Sequence, residues 1–143
     1  MSSTYVLLPA RPATADTEFE HLASPDGRSV VRQSSAPAAL LPVPSGAGSE
    51  LVAIAPADAL SWQRVELPKG VGPRSPRLRA VLEGLLEDRL LDDPDQLHFA
   101  LEPRPVPGEP AWVAVCDRAW LRSCLQVLEA AGRPAARVVP QIA

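Results

Sequence analysis

The stretch Leu51-Val-Ala-Ile-Ala-Pro56 is the part of the sequence on which the fold depends. A continuous apolar run of five residues that ends at a proline is typical of a strand buried on both faces, as in a parallel sheet. The preceding segment, Pro42–Ser49, is rich in Pro, Gly and Ser and is predicted to be a loop. We therefore expect Leu51–Ala55 to be a central strand.

On the N-terminal side of this strand, short apolar runs alternate with turn signals. Thr4–Leu8 is followed by a proline and is predicted to be a strand. Glu18–Ala23 and Ser29–Gln33 flank Pro25-Asp26-Gly27, a turn in which Pro presets φ and Gly permits a positive φ. The region is predicted to form a hairpin or meander, and Ala36–Leu41 is predicted to add one or two helical turns.

On the C-terminal side, residues 59–140 show clearer periodicity. Strands are predicted at Ala59–Leu67, Leu97–Leu101, Trp112–Cys116 and Ala136–Val139. A helix is predicted over 76–91, because Ser75 is a good N-cap, Pro76 suits the first helical position and leucines follow at helical spacing. A second helix is predicted over 118–131, with Asp117 at its start and Gly132 at the C′ position.

The order of these elements predicts the fold class. From residue 59 the order is strand, helix, strand, strand, helix, strand, which is the split βαβ arrangement. This arrangement is a four-stranded antiparallel sheet with both helices on one face. We therefore expect an α/β (α+β) chain in two parts, with residues 1–58 forming one part and residues 59–143 a βαββαβ subdomain.

Composition excludes several classes of protein. The chain has 143 residues, of which 46% are apolar and 22% charged, and these values suit one mid-sized domain or two small ones. The net charge is −3 and the basic residues are scattered, so nucleic acid is not an expected partner. No apolar run approaches the ~20 residues that span a bilayer, and the N-terminus lacks a signal-peptide pattern. The chain as given is therefore expected to be soluble.

Candidate catalytic and metal-binding residues are few, and each also fits a structural role. Cys116 and Cys124 lack the CxxC spacing that lowers a thiol pKa, so they are predicted to be small core residues rather than a redox pair. His21 and His98 have no Cys or acid at ligand spacing. The acidic cluster at residues 92–95 lacks the Gly and the distal Glu of a calcium loop, and it is predicted to be a solvated turn. We predict no catalytic residue, metal or cofactor.

Three pieces of sequence, in their order and spacing over residues 51–140, resemble one bacterial family. The first is Leu51–Pro56 with Trp62-Gln-Arg-Val-Glu-Leu-Pro68, the second is the leucine-rich helix with Leu90-Leu-Asp-Asp-Pro-Asp-Gln-Leu-His-Phe-Ala-Leu101, and the third is Ala114-Val-Cys-Asp-Arg118 with Glu129-Ala-Ala-Gly132 and Ala136-Arg-Val-Val-Pro140. The chain thereby resembles the type II secretion protein L family and the related pilus-assembly protein M family.

The resemblance implies both a fold and a function. It implies an actin-like fold variant, in which residues 1–58 are part of an RNase H-like first subdomain and residues 59–143 are an added βαββαβ subdomain. It also implies a non-enzymatic adaptor at the cytoplasmic face of the bacterial inner membrane, docking the N-terminal domain of the secretion ATPase. Other inner-membrane components are expected to bind parts of a longer protein that lie outside this chain. The membrane anchor is expected in those parts as well. A homodimer is a possible state.

Two alternative functions are weighed against this one. An actin-like nucleotide-binding protein is disfavoured because Pro9–Ala15, after the first strand, has neither the acid nor the glycine of a phosphate loop. Gly70-Val-Gly72 also lacks the Gly-Lys-Ser/Thr that would follow in a Walker loop. A free-standing ferredoxin-like module for a small ligand is disfavoured by the family-like segment before residue 59.

The outer face of the first predicted helix is the candidate partner surface. A glycine inside an exposed helix costs up to ~1 kcal/mol relative to Ala, and close packing against a partner would explain its presence. Glutamates beside it could pair with arginines and orient the partner. A solvated face without function is the alternative. The candidate partner-binding residues are Ala80, Glu83, Gly84, Glu87 and Leu91.

Overall fold

The computed structural model describes residues 3–24, 32–44, 48–106 and 108–141, so the predicted turn at residues 25–27 lies outside the described residues. Within these ranges the chain forms eight strands and two α-helices, divided between two compact units. One unit comprises Met1–Ala59 with Trp120–Ala143, and the other comprises Leu60–Ala119. The chain therefore passes between the units twice, at residues 59–60 and 119–120.

The first unit is built on a five-stranded mixed sheet with the strand order β3-β2-β1-β4-β8. Its strands are β1 (Ser3–Leu7), β2 (Glu18–Ser24), β3 (Arg32–Pro37), β4 (Glu50–Ala55) and β8 (Arg137–Pro140). The first three form an antiparallel meander, whereas β4 pairs in parallel with both β1 and β8. The mixed α/β class and the predicted meander are confirmed.

Strand β4 is the buried centre of this sheet. Four of its side chains are buried: Leu51, Val52, Ala53 and Ala55. Parallel strands pair with β4 on both sides. Strands in this position are buried on both faces, so a continuous apolar run fits here better than an alternating one. The predicted central strand is confirmed.

Helix α2 (Arg118–Ala130) is bound to the segment that follows β1. Its buried side chains recur every fourth residue: Trp120, Cys124 and Leu128. The indole Nε1 of Trp120 donates to the carbonyl oxygen of Pro9 (2.8 Å). The amide of Ala13 donates to the hydroxyl of Ser123 (3.2 Å). Two polar bonds therefore flank the apolar stripe and fix the helix along this segment.

The end of α2 is closed by a glycine, as the sequence predicts. Gly132 has φ of 77°, its amide donates to the carbonyl oxygen of Glu129 (3.0 Å), and the amide of Arg133 donates to that of Leu128 (2.8 Å). These two bonds form a Schellman motif, which satisfies carbonyl groups that the helix leaves open. Arg133 then donates from Nε to the carbonyl oxygen of Leu41 (3.1 Å) and so binds the helix end to a neighbouring loop.

The second unit is a three-stranded antiparallel sheet packed on one helix. Its strands β5 (Ser61–Val65), β6 (Leu97–Leu101) and β7 (Ala111–Asp117) lie in the order β5-β7-β6. Helix α1 (Leu78–Leu86) contributes two leucines to a core that all three strands share. The buried core residues are Val65, Leu82, Leu86, Leu97, Val113 and Val115.

The positions of β8 and α2 correct the predicted βαββαβ subdomain. We expected residues 59–143 to form one four-stranded antiparallel sheet with two helices on one face. Instead β8 pairs in parallel with β4, and α2 from Trp120 onward belongs to the first unit. Periodicity specifies that a segment is a strand or a helix, but the partner of a strand depends on long-range pairing that periodicity does not encode.

Helix α1 is also shorter than the predicted span of 76–91. The hydroxyl of Ser75 accepts a bond from the amide of Arg77 (3.3 Å), which stabilises a turn ahead of the helix rather than capping it. After Leu86 the chain turns again, with the amide of Arg89 donating to the Leu86 carbonyl oxygen (2.9 Å). Leu90, beyond the helix, still packs on the core, because the turn continues the apolar stripe of the helix.

Replacing two glycines by alanine is expected to change stability in opposite directions. Gly132→Ala places a side chain at a positive φ and should lower the free energy of unfolding by about 1 kcal/mol. Gly84→Ala lies inside α1, where an added Cβ meets nothing within 4 Å, so it should raise that free energy by about 0.5–1 kcal/mol. Urea denaturation followed by circular dichroism measures both, and two changes of the same sign would contradict this account.

Candidate functional site

The predicted partner-binding residues lie along α1 and the turns that follow it. Ala80 and Gly84 are exposed on the helix, and Glu87 is exposed at its C-terminal end. Leu91 lies beyond the helix and is completely exposed, at 105% of its reference area. We call these four exposed residues the α1 ridge; they include a glycine on the helix and a leucine beyond its end.

Glu83 differs from the other four because its carboxylate already has a partner. Arg79 Nε lies 3.0 Å from Glu83 Oε1. The Arg79 guanidinium also donates to the carbonyl oxygens of Pro94 and Leu97 (both 3.0 Å) and lies 5.0 Å from the centroid of the Phe99 ring. Glu83 therefore helps to hold Arg79 in an internal network, and its role in docking a partner is weakened.

The face of the second sheet opposite α1 carries an aromatic cluster that the sequence analysis missed. Trp62 and Trp112 are 43% and 44% exposed, and their rings form an edge-to-face pair with centroids 6.5 Å apart. The Arg64 guanidinium carbon lies 5.3 Å from the Trp112 ring centroid. Alternation within β5 places Trp62 and Arg64 on one face, but the place of Trp112 depends on the β5–β7 register, which pairs it with Arg64.

A cleft of about 880 Å³ opens between the two proline-rich loops of the second unit. It is lined by residues 66–73 and by parts of 103–111. Its charged lining residues have both signs: Glu66, Lys69, Arg104 and Glu109. This mixture gives the cleft no convergent set of groups for one ligand.

Both cysteines are free and buried. Burial, and then the charge of Asp117, raises the pKa of the Cys116 thiol to about 11. Burial also raises the pKa of Cys124, although hydrogen bonds from Ser123 and Ala13 oppose this effect. Both thiols are therefore protonated near neutral pH and behave as small core residues, as predicted.

The acidic cluster is a hydrogen-bonded turn. The Asp93 carboxylate accepts a bond from the amide of Asp95 (3.0 Å) and caps the short 3-10 helix Pro94–Gln96. Among the described residues, no group of three or more His, Cys, Asp or Glu side chains could hold a metal ion. The same part of the chain contains no helix that is long and apolar enough to cross a membrane.

The segment after β1 uses its amides for contacts within the chain. The amide of Ala13 donates to Ser123, as described above, and the amide of Thr14 donates to the hydroxyl of Thr17 (2.9 Å). A phosphate-binding loop needs such amides to point at the ligand. Here the two amides donate to side-chain hydroxyls of the protein instead of pointing at a ligand.

Comparison with known proteins places the chain in a family. Residues 7–143 match the family model of the type II secretion system, protein L. The chain belongs to this protein L family. A type II secretion system protein L of Vibrio cholerae is 36% identical over 92 residues, which are 64% of this chain and 21% of that protein.

Solved structures give a similar result for the fold. The cytoplasmic domain of EpsL, an inner membrane component of the type II secretion system of Vibrio cholerae, superposes with a TM-score of 0.69 at 26% identity. The match covers 98% of this protein L chain and 57% of that domain. A PilM-PilN type IV pilus biogenesis complex matches with a TM-score of 0.46 and 13% identity, covering 98% of this chain and 46% of that one. The chain thus spans about a fifth of the curated relative.

The electrostatics of His98 can be tested by titration. Partial burial lowers the pKa of His98 below the ordinary value of 6.5, and the charges of Arg79 and Arg118 lower it further. Arg118→Gln removes one charge, so the pKa of His98 should rise toward 6.5 without reaching it. An NMR titration of the imidazole measures the shift.

The lowered pKa of His98 also makes stability depend on pH. The folded state binds this proton more weakly than the unfolded chain does, so the contribution of His98 to stability falls as the pH drops through 6.5 and below. In Arg118→Gln this loss should be smaller. An unchanged pKa of His98 in the variant would show that Arg118 does not act on it.

Proposed function

We propose that this protein L chain is a non-enzymatic adaptor that docks the N-terminal domain of the secretion ATPase at the cytoplasmic face of the inner membrane. Family membership supports the setting in a type II secretion system. The docking role rests on the α1 ridge, where a completely exposed leucine follows a helix face with a bare glycine.

The α1 ridge has the chemistry of a small protein-docking surface. Burying a leucine side chain contributes about 1.5–3 kcal/mol, and Leu91 gains none of this within the described chain because it is fully exposed. Gly84 leaves open space above the helix backbone, so another element can approach it closely. Glu87 offers an exposed charge that would orient a basic partner and speed its association.

The absence of enzymatic activity is the second part of the proposal. The segment after β1, where an actin-like ATPase would bind phosphate, donates its amides to Ser123 and Thr17. Binding a nucleotide there would require breaking these bonds. The protonated thiols and the capped acidic turn likewise fit structural roles.

We also propose how the two units correspond to the subdomains that the resemblance implies. The five-stranded sheet with α2 corresponds to the RNase H-like subdomain, which then includes residues 120–143 as well as residues 1–59. Residues 60–119, which include the first two residues of α2, are an insertion into this subdomain. The order of the strands, with a meander followed by two parallel strands, supports this assignment.

Mutation of the α1 ridge is expected to weaken docking. The double variant Gly84→Gln, Glu87→Arg fills the open space and reverses the charge, while it leaves the Arg79–Glu83 pair intact. Its affinity for the purified N-terminal domain of the secretion ATPase, measured by isothermal titration calorimetry, should fall at least about tenfold, which corresponds to 1.4 kcal/mol.

A matched control carries the same kinds of change on α2. The double variant Ala130→Gln, Glu129→Arg alters two exposed residues of the first unit and should bind like the wild type. Circular dichroism must show that all variants are folded. Wild-type affinity in the α1 variant would exclude the α1 ridge as the docking site, and absence of binding by the wild type would exclude docking by this chain.

Nucleotide binding is expected to be absent. A titration of the chain with ATP and Mg²⁺ in a calorimeter should give no saturable heat at micromolar concentrations, because the amides after β1 are already bonded. The variant Ser123→Ala removes the hydroxyl that accepts from the amide of Ala13 and serves as a comparison. Saturable micromolar binding by the wild type would refute the non-enzymatic proposal.

A further inference from the structure

Strand β5 has backbone groups that find no hydrogen-bond partner in the described part of the chain. It is an edge strand of the three-stranded sheet and pairs with β7 on one side only. The Arg89 guanidinium donates from Nη1 to the carbonyl oxygen of Arg64 (2.6 Å), so the Arg64 carbonyl points away from β7. Trp112, which lies opposite Arg64, likewise accepts from the amide of Glu102 on the other side of β7. Since alternate residues of a strand point the same way, the free groups are the amide and carbonyl of Trp62 and the amide of Arg64.

Exposed apolar side chains flank this edge on both faces of the sheet. Trp62 projects from the face opposite α1, and its ring stays 43% exposed beside Trp112. On the face that carries α1, a hollow of about 470 Å³ lies beside the end of β5, and Leu85 in its lining is 38% exposed. A strand paired with β5 would project its side chains to the two faces in turn. It would therefore cover Trp62 with one residue and approach Leu85 with a neighbouring one.

The arginines at this edge have no acidic partner. In the described part of the chain neither Arg64 nor Arg89 forms an ion pair, and the Arg64 guanidinium lies over the Trp112 ring instead. The described lining of the hollow contains both arginines and one acid, Glu66. A residue directly opposite Arg64 on an added strand would also lie beside the Arg89 guanidinium, which is bonded to the Arg64 carbonyl. Both charges favour an acidic side chain at that position.

From these observations we infer that the edge of β5 binds an extended acidic segment of a different protein, which adds to the sheet as an antiparallel strand. One residue of the segment exchanges two hydrogen bonds with Trp62. The residue opposite Arg64 accepts from the Arg64 amide and is an aspartate or a glutamate. The pairing ends there, because the Arg64 carbonyl oxygen already accepts from Arg89.

The composition of the surface supports a protein as the occupant. Tryptophan and arginine are enriched among the residues that contribute most of the binding energy in protein interfaces. Here Trp62, Trp112 and Arg64 lie together on one exposed sheet face. Main-chain hydrogen bonds supply affinity in this mode of recognition, and alternate side chains supply specificity.

A second copy of this chain fits the same edge poorly. In an antiparallel contact between two β5 strands that pairs Trp62 with Trp62, the residue opposite Arg64 is Leu60. If Trp62 pairs with Arg64 instead, two of the four hydrogen bonds are lost, because Arg89 covers the Arg64 carbonyl of each copy. Neither register places an acid opposite Arg64, and the second brings the arginines of both copies together. A different protein with an acidic segment is therefore the better occupant.

A synthetic peptide tests this pairing on the chain itself. The probe alternates valine with threonine and carries one glutamate, placed two positions before the residue that should face Trp62. Binding covers the Trp62 indole, so tryptophan emission should shift to shorter wavelength and saturate with a Kd on the order of 10⁻⁴ M. Trp120 is buried and contributes a constant background.

Two altered peptides separate the charge from the backbone contribution. A peptide with lysine in place of glutamate should bind at least about threefold more weakly, since like charges then lie opposite each other. A glutamate peptide that is N-methylated at the residue facing Trp62 loses the donor to the Trp62 carbonyl. It should bind at least about fivefold more weakly.

Variants of the chain test the two arginines. Arg64→Gln and Arg89→Gln should each reduce the preference for the glutamate peptide over the lysine peptide toward one. Arg122→Gln is the matched control, because Arg122 is exposed on α2 in the first unit, and it should keep the wild-type preference. Circular dichroism shows whether each variant is folded.

Several outcomes would overturn the inference. They are no saturable shift with the glutamate peptide, equal affinities for the glutamate and lysine peptides, or undiminished binding of the N-methylated peptide. A shift of tryptophan emission on dilution of the protein without peptide would assign the edge to a second copy and overturn it as well. The variant Gly84→Gln, Glu87→Arg should bind the glutamate peptide like the wild type, so a failure of ATPase docking on the α1 ridge is distinguishable from a failure here.

Discussion

The parallel pairing of β8 with β4 is the constraint on which the rest of the chain depends. A hairpin cannot join two parallel neighbours, so the chain must leave the sheet after Ala55 and return before Arg137. A helix alone would suffice for this crossover, and α2 supplies it. The chain instead places the whole second unit in the same connection, ahead of α2. The return is secured where the Arg137 guanidinium meets Glu50 (3.0 Å) and the amide of Ala136 donates to the Leu51 carbonyl oxygen (2.8 Å).

This constraint explains which parts of the fold could be predicted from the sequence. The type of each element was predictable because leucine spacing in α1, the stripe of α2 and the apolar run of β4 are local patterns. The sheet to which β8 belongs was not predictable, because its four residues, Arg137–Pro140, carry no mark that distinguishes an antiparallel partner from a parallel one. The Schellman end of α2 was predictable, since a glycine followed by a proline two residues later is a local signal.

Some features of the candidate site likewise follow from local sequence patterns, whereas others depend on long-range packing. The exposed ridge of α1 follows from helical periodicity. The pairing of Glu83 with Arg79 could also have been found from sequence, because residues four apart on a helix are neighbours. The contacts of Arg79 with Leu97 and Phe99 could not, since they depend on where β6 packs. The same holds for the tryptophan pair, which exists only because β5 and β7 share one register.

Arginine side chains form hydrogen bonds with several backbone carbonyl oxygens, including two on the edge strands of the three-stranded sheet. In the described part of the chain, arginine side chains donate to the carbonyl oxygens of Leu41, Arg64, Pro94, Leu97 and Ala131. A guanidinium suits this task because its several donors lie in one rigid plane, and it stays charged at any relevant pH. Where an arginine covers a carbonyl, an incoming strand must displace a charge-assisted bond. In the three-stranded sheet, arginines cover the carbonyl oxygens of Arg64 on β5 and of Leu97 at the start of β6, both of them edge strands.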